Sequence, residues 1–555
     1  MRVEQHPGNQ IDRSKTITFI FNNKIYKGFE GDTLASALLA NDVTLFARSF
    51  KYGRKRGLMA AGVEEPNALI SLESGGRYTP NLKATEILLY DGLCAKSATS
   101  PNGFDLRAFI KPLHRFMPAG FYYKTFIKQK VWAKVENSIR ALSGFSESPT
   151  EEDVDVYDHI HHHAEVLIIG AGVAGISAAM EILNNSENER VILVDERPRL
   201  GGEIISELCS DNSAKEWLKS SVADLNVFRK EHSDRFTVLC NSTAYAWHDQ
   251  NFVEIIETIT TAQSLADREI QTPRKINHKV RAKEVILATG AHERPMLFEA
   301  NDLSNIMLSQ SVRRYLNEFG VISGNNTIIY GNNDTIYQTA KDLITNDISC
   351  MVIDVRPDGA NNPFAEELEN SSIKILQGYA VVKAHGSNRI KSVDIAPATY
   401  KDSDWEVGNE IESLNCDLLA TSGGFNPVVH LNCHSGSKTY FNEDSQSFLT
   451  GDLPSNRQVC GAVDGTGDWQ DAIIDGRNKA KLTLQSLGIN KNPKIEKLSG
   501  NHNNPYRVSP FFTPASIINR PKVFLDLQND VATTDVAISI REGYRSIEHI
   551  KRYTA

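Results

Sequence analysis

Three glycines and one acid carry the clearest chemistry in this 555-residue chain. Gly170, Gly172 and Gly175 form G-x-G-x-x-G within Glu165-Val-Leu-Ile-Ile-Gly-Ala-Gly-Val-Ala-Gly175. The run ends an apolar strand pattern and opens a helical one. In that setting the first glycine permits a tight turn, the second lets a pyrophosphate approach the backbone, and the third lets helix and strand pack closely. The helix N-terminus offers its amides and partial positive charge to the phosphates. Asp195 lies twenty residues after Gly175, at the end of the next strand pattern, where an acid takes ribose hydroxyls. Glycines and acid together point to dinucleotide binding rather than to a bare packing turn.

Further features extend this constellation. Asp195-Glu196-Arg197 leads into Leu200-Gly201-Gly202-Glu203, where charged side chains can flank an adenosine. Strand Val285–Ala288 ends in Ala288-Thr289-Gly290, a tight turn under a dinucleotide. Val459-Cys-Gly461-Ala462-Val-Asp464-Gly465 resembles the closing strand-turn-helix of two-dinucleotide flavoproteins. In this order the set resembles the flavoprotein disulfide-reductase superfamily, and motif order alone predicts FAD. The second dinucleotide unit of that superfamily corresponds to Thr327-Ile-Ile-Tyr-Gly-Asn-Asn-Asp-Thr335, where only Gly331 survives. Asp334 would repel a pyrophosphate. No C-x-x-C or C-x4-C redox pair is present. The expectation is one nucleotide site, a degenerate second fold-half and no route for hydride from a nicotinamide to a flavin.

These residues must be positioned by an α/β architecture of Rossmann type. A single core rarely exceeds about 250–300 residues, so several domains are expected. Residues 1–98 read as a β-grasp, ferredoxin-like domain: strands around an Asn-Asn turn at 16–27, a helix from Thr33 capped by Asp32, a long loop, then more strands. Residues 99–163 read as a helical, aromatic connector (Phe116, Phe121, Tyr122, Tyr123, Phe126) and an acidic linker. Residues 164–296 and 420–490 form the dinucleotide-binding domain, 297–419 the inserted degenerate one, and 491–555 a small helical C-terminal domain. His159, His161, His162 and His163 lack Cys or carboxylate at ligand spacing and read as a polar linker end, not a metal site.

Sixty Lys and Arg against 69 Asp and Glu give a net charge of −9, which argues against a nucleic-acid partner. No apolar run reaches the roughly 18 residues of a membrane span, and residues 1–15 carry no signal-peptide core. Seven scattered cysteines suit a reducing, cytoplasmic setting better than a disulfide framework. In a plant-type ferredoxin, C-x4-C-x2-C plus a distant Cys holds [2Fe–2S]. Aligned on the turn at Arg56-Gly57-Leu58, the ligand positions become Ala60, Glu65, Ala68 and a fourth near Thr85. None is Cys, so no [2Fe–2S] cluster is expected.

Longer motifs carry a specific resemblance. They are Gly31-Asp-Thr-Leu-Ala-Ser-Ala-Leu-Leu-Ala-Asn41, Arg48-Ser-Phe-Lys-Tyr52, Glu64-Glu-Pro-Asn-Ala-Leu69 and Leu89-Tyr-Asp-Gly-Leu93. Pro118–Phe126, Thr421-Ser-Gly-Gly-Phe-Asn-Pro427, Asp526-Leu-Gln-Asn-Asp530 and Arg541–Thr554 follow. With the nucleotide loop, these resemble the alpha subunit of heterotetrameric sarcosine oxidase across nearly the whole chain. The resemblance implies oxidation of sarcosine by oxygen to glycine and hydrogen peroxide, with the one-carbon unit passed to tetrahydrofolate. It implies FAD on a beta subunit where the amine is oxidised, FMN at the alpha–beta interface, and gamma and delta partners. It implies NAD+, not FAD, in this chain, as a nucleotide outside the turnover path, and activity that this chain alone does not supply.

Carried onto this sequence, the nucleotide contacts are Gly170, Ala171, Gly172, Ala174, Gly175 and Ile176. Asp195, Glu196 and Arg197 lie at the ribose, Gly202 and Glu203 in the following turn, and Ala244 near the adenine. Thr289, Gly290, Gly461, Ala462 and Asp464 close the far side. No residue of this chain is expected to be catalytic. The resemblance also implies a folate-binding domain beyond Thr554, so folate chemistry is not expected of these residues. Two rivals stand beside this reading: a stand-alone FAD-dependent oxidoreductase, and a non-catalytic scaffold of an amine oxidase complex.

Overall fold

A computed structural model describes the chain except residues 5, 7, 50, 99–118, 121–148, 208–210, 260–271, 360–362, 369–370, 372, 402–403, 500–506, 515–519, 521 and 555. Most of the aromatic connector, and Cys209, therefore lie outside the described residues. The chain forms two compact units. One comprises Met1–Val154, Pro295–Gly423 and Pro510–Ala555, and the other Asp155–Arg294 and Gly424–Ser509.

The first unit opens with the β-grasp sheet. Its strand order is Lys24–Glu30, Asp12–Phe21, Cys94–Ser97, Leu69–Leu72, Thr79–Lys83. Asn22 and Asn23 both take positive φ (50° and 63°), the conformation a two-residue hairpin requires. Helix Leu34–Ala40 is capped by Thr33, whose Oγ1 accepts from Ser36 N at 3.1 Å. Asp32 is not the cap. It is wholly buried, accepts from Phe29 N and Ser36 Oγ, and pairs with Arg2.

Five parallel strands build the unit's second sheet, in the order Ile306–Leu308, Leu418–Ser422, Asn326–Gly331, Ser349–Asp354, Lys374–Gln377. Helix Ser309–Phe319 joins the two sheets. Its Tyr315, Leu316 and Phe319 share one apolar core with Leu34, Leu38, Phe46, Leu58 and Ile70 of the β-grasp. The segments read as separate domains at 1–98 and 297–419 thus bury their apolar faces against each other.

The second unit is built on parallel strands Phe236–Leu239, Val191–Val194, Tyr157–Ile169, Lys275–Leu287 and Arg457–Val459. The meander Ser242–His248 and Phe252–Thr258 pairs antiparallel to the first half of Lys275–Leu287. Two expectations are corrected here. The acidic linker ends before residue 157, because Tyr157–Ile169 is one continuous strand. His159 to His163 lie inside it, and their alternating exposure marks a strand with one solvated face. His162 Nε2 meets His278 Nδ1 at 2.9 Å, and His278 Nε2 meets Glu257 at 2.8 Å across the sheet. Asn241 at φ 49° separates strand Phe236–Leu239 from strand Ser242–His248.

Candidate dinucleotide site

Strand Tyr157–Ile169 delivers the chain to Gly170, which stands at φ +103°. A Cβ there would sit 2.2 Å from Ala288 O. At Gly175 a Cβ would sit 1.9 Å from Gly170 O. Both glycines are demanded by packing. Gly172 differs: a Cβ there meets no atom within 4 Å. Gly172 is the N-cap of helix Val173–Asn184, which takes no side-chain cap. The cradle is thus open where a phosphate approaches a helix N-terminus.

The acid works closer to the loop than its spacing implied. Asp195 is buried, with Oδ2 accepting from Ala171 N at 2.6 Å and Oδ1 from Arg197 N at 2.8 Å. It ties the glycine turn to the end of strand Val191–Val194. Glu196 beside it is exposed. Arg197 donates to Gly202 O at 2.8 Å and pairs with Glu203. The guanidinium is held by its own turn, beside the paired acids Asp195 and Glu196. Gly201 N donates to Ala171 O at 2.8 Å, bringing the second glycine turn onto the first.

The remaining expected residues fall into four groups. Ala171, Ala174 and Ile176 are buried, and the Ile176 amide already donates to Gly172 O, so Ile176 supports the turn through packing. Thr289 Oγ1 donates to Val428 O at 2.7 Å, and a Cβ on Gly290 would meet open space. Gly461 stands at φ +78°, where a Cβ would meet Ala174 Cβ at 2.8 Å, and it opens the turn holding Ala462 and Asp464. Ala244 lies in the meander opposite Ile255, two residues past Ser242, whose amide donates to Asp195 O.

Three residues of helix Trp469–Ser486 escaped the sequence reading. Asp475 Oδ2 accepts from Gly461 N at 2.8 Å. Lys479 pairs with Asp464 at 3.2 Å; burial pushes the Asp464 carboxyl up, and Lys479 pulls it down. Gly476 lets the helix cross the first one, since a Cβ would lie 2.2 Å from Ala174 O. The signal was available. Asp471, Asp475 and Lys479 share a helix face at i, i+4 spacing, and a mid-helix glycine costs about 1 kcal/mol against alanine.

The second fold-half is filled from within. Asn332 and Asn333 are wholly buried, donating to Phe511 O and Ser422 Oγ at 2.8 and 2.9 Å. Arg356 bridges Asp354, at the end of its strand, and Asp334, at the start of helix Thr335–Thr345, both at 2.7 Å. Asp334 is therefore a neutralised partner rather than a source of repulsion, and the guanidinium occupies the phosphate side of this half. Replacing Arg356 with Gln leaves the fully buried Asp354 without its cation. The expected loss is about 1–3 kcal/mol, read as a lower apparent Tm, with no gain of nucleotide binding at this half.

The described cysteines form no disulfide. Among the described residues all six are free thiols. Burial pushes the Cys240 thiol up to about 11 and Cys350 and Cys416 up to about 12. Among the described residues no group of three His, Cys, Asp or Glu could hold a metal ion, and no helix is long and apolar enough to cross a membrane.

Comparison with known proteins agrees with this geometry. Residues 164–445, which span the glycine loop and the second fold-half, match the pyridine nucleotide-disulphide oxidoreductase family. The chain belongs to that family. Residues 14–100 match the 2Fe-2S iron-sulfur cluster binding domain, and residues 520–555 the sarcosine oxidase A3 domain. The chain is homologous to sarcosine oxidase subunit alpha of Rhizobium meliloti (strain 1021), 33% identical over 98% of this chain and 53% of the relative. The subunit of Corynebacterium sp. (strain U-96) is 30% identical over 100% of this chain and 53% of its own length. The chain thus spans about half the length of these relatives. L-Proline dehydrogenase from P. horikoshii shares the fold, with TM-score 0.67 and 19% identity over 98% of this chain and 88% of that one. As a member of this oxidoreductase family, the chain has an open first nucleotide cradle and a closed second one.

Proposed function

We propose that this chain is the dinucleotide-holding, alpha-type subunit of a multi-subunit sarcosine oxidase. The observation that carries the reading is similarity to sarcosine oxidase subunit alpha along nearly the whole chain, including the C-terminal segment. The nucleotide in this chain is NAD+. Gly172 and the helix N-terminus hold its pyrophosphate, Asp195 and Glu196 lie at its adenosine ribose, and the Gly290 and Gly461 turns close the far side. A nicotinamide nucleotide supplies hydride chemistry in general. Here the filled second half supports a bound nucleotide that stays outside turnover. FAD on a beta-type partner would supply the amine-oxidation chemistry and FMN between the two chains the oxygen-reducing chemistry, with gamma- and delta-type chains completing the assembly. The scattered cysteines, all free thiols among the described residues, support a reducing cytoplasmic compartment.

The test is co-expression with a beta-type chain, then chromatography of the nucleotides released on denaturation. NAD+ from this chain and sarcosine-dependent peroxide only in the complex are the expected results. Flavin released from the isolated chain favours the FAD-dependent oxidoreductase reading, which the motif order alone supports. Full oxidase activity in a complex whose alpha chain has lost nucleotide binding favours a scaffold.

A further inference from the structure

Residues 14–100 match a cluster-binding family, which would set the loop's residues around a [2Fe–2S] group. They do not fit. The ligand spacing x4 and x2 falls on Ala60, Glu65 and Ala68. Ala60 and Ala68 are wholly buried apolar side chains, and Thr85 turns its hydroxyl to Gly62 O at 2.8 Å. No thiolate stands at any ligand position.

The loop is nevertheless built around an anion. Glu65 is wholly buried. Its Oε2 accepts from Met59 N at 2.8 Å and Ala60 N at 2.6 Å. Its Oε1 accepts from Asn67 N at 2.6 Å and Ala68 N at 3.1 Å. Four backbone amides from both sides of the loop thus converge on one carboxylate. In a cluster-bearing loop, hydrogen bonds to the cluster's sulfurs meet a comparable need of an anionic centre. Tyr315 closes the loop from outside, donating its hydroxyl to Ala60 O at 3.1 Å. Burial pushes the Glu65 carboxyl up to about 7, the four amides only partly offsetting it.

We propose that the Glu65 carboxylate replaces the iron–sulfur cluster as the anion on which this loop folds, so that the β-grasp domain is a redox-silent module held by a side chain. An ionised carboxylate is acceptor-only and offers about four lone-pair sites, matching the four donors. Without it, four buried N–H groups lose their partner together.

The test uses the full-length chain. Anaerobic incubation with ferrous iron and sulfide is expected to leave no bound iron and no visible absorbance. Two irons per chain with charge-transfer bands overturns the proposal. Hydrogen exchange of the Met59, Ala60, Asn67 and Ala68 amides is expected to be as slow as in the core of the β-grasp sheet. In Glu65→Gln it is expected to rise at least about tenfold, with exchange over 164–194 unchanged, because the amide nitrogen turns a donor toward two N–H groups. Unchanged exchange in Glu65→Gln overturns the proposal. Should that variant not fold, fast exchange of these four amides in the unaltered chain overturns it equally.

Discussion

Gly172→Ala is expected to fold as the unaltered chain does and to bind its dinucleotide about 10–100-fold more weakly, the effect of 1–3 kcal/mol of overpacking. The backbone at Gly172 has φ −72°, which alanine adopts without strain. Its Cβ would enter space empty of protein, so the fold has no reason to object. Alanine is a slightly poorer N-cap than glycine, which sets a stability change of about 1 kcal/mol or less. Gly175→Ala is the control with the opposite pattern. Its Cβ would overlap Gly170 O at 1.9 Å, so the strand–turn–helix cannot close. The expected loss is about 4 kcal/mol or more, with binding lost as a consequence. Thermal melts by circular dichroism and nucleotide titration separate the two. Undiminished binding in Gly172→Ala would place the phosphates elsewhere and remove the cradle from the proposed function.

The contrast between these glycines also shows what a sequence conveys. The loop Gly170 to Gly175 and the acid at Asp195 were legible because strand, turn and helix are contiguous and the motif's spacing is set by local geometry. The roles within the motif were not equally legible. Asp195 spends both carboxylate oxygens on loop amides, a contact visible only once strand Val191–Val194 lies beside Tyr157–Ile169. Asp475, Gly476 and Lys479 act on residues far away in sequence, so only the crossing of two helices gave them meaning. The histidine run was misread for another reason. A strand with a solvated polar face lacks the apolar alternation by which strands are usually recognised. That Glu65 gathers four backbone amides required the loop's path.

Removing the charge of Asp530 is expected to cost more stability than Arg356→Gln does. Arg48-Ser-Phe-Lys-Tyr52 and Asp526-Leu-Gln-Asn-Asp530 are more than 470 residues apart in sequence, as the Arg54–Asp530 hydrogen bond records, yet they meet in one unit. Arg54 Nε donates to Asp530 Oδ1 at 2.6 Å, with both side chains almost fully buried at 6% and 2% exposure. The Arg54 guanidinium also reaches Leu527 O and lies 5.1 Å from the Phe524 ring centroid. Lys51 pairs with Asp535 at 2.7 Å, and Arg56 donates to Gln528 O at 2.6 Å. The basic loop of the β-grasp is thus a clamp on the C-terminal segment 520–555.

Breaking a buried pair from one side leaves an uncompensated charge, which costs about 3–5 kcal/mol. Asp530→Ala and Arg54→Met should each lower the apparent Tm by that order. The double variant should lose less than the sum, because the stranded charge disappears with its partner. Asp530 takes φ 57°, so Asp530→Asn, which tolerates the same backbone, isolates the charge from the turn. Additive losses in the double variant would mean that the pair is not coupled and that docking rests on Phe524 and its apolar neighbours. Coupling makes the clamp specific: Asp530 and Asp535 of the C-terminal segment are held by Arg54 and Lys51 of this loop. Limited proteolysis should then cut 520–555 first in Asp530→Ala, while the nucleotide-binding unit stays intact.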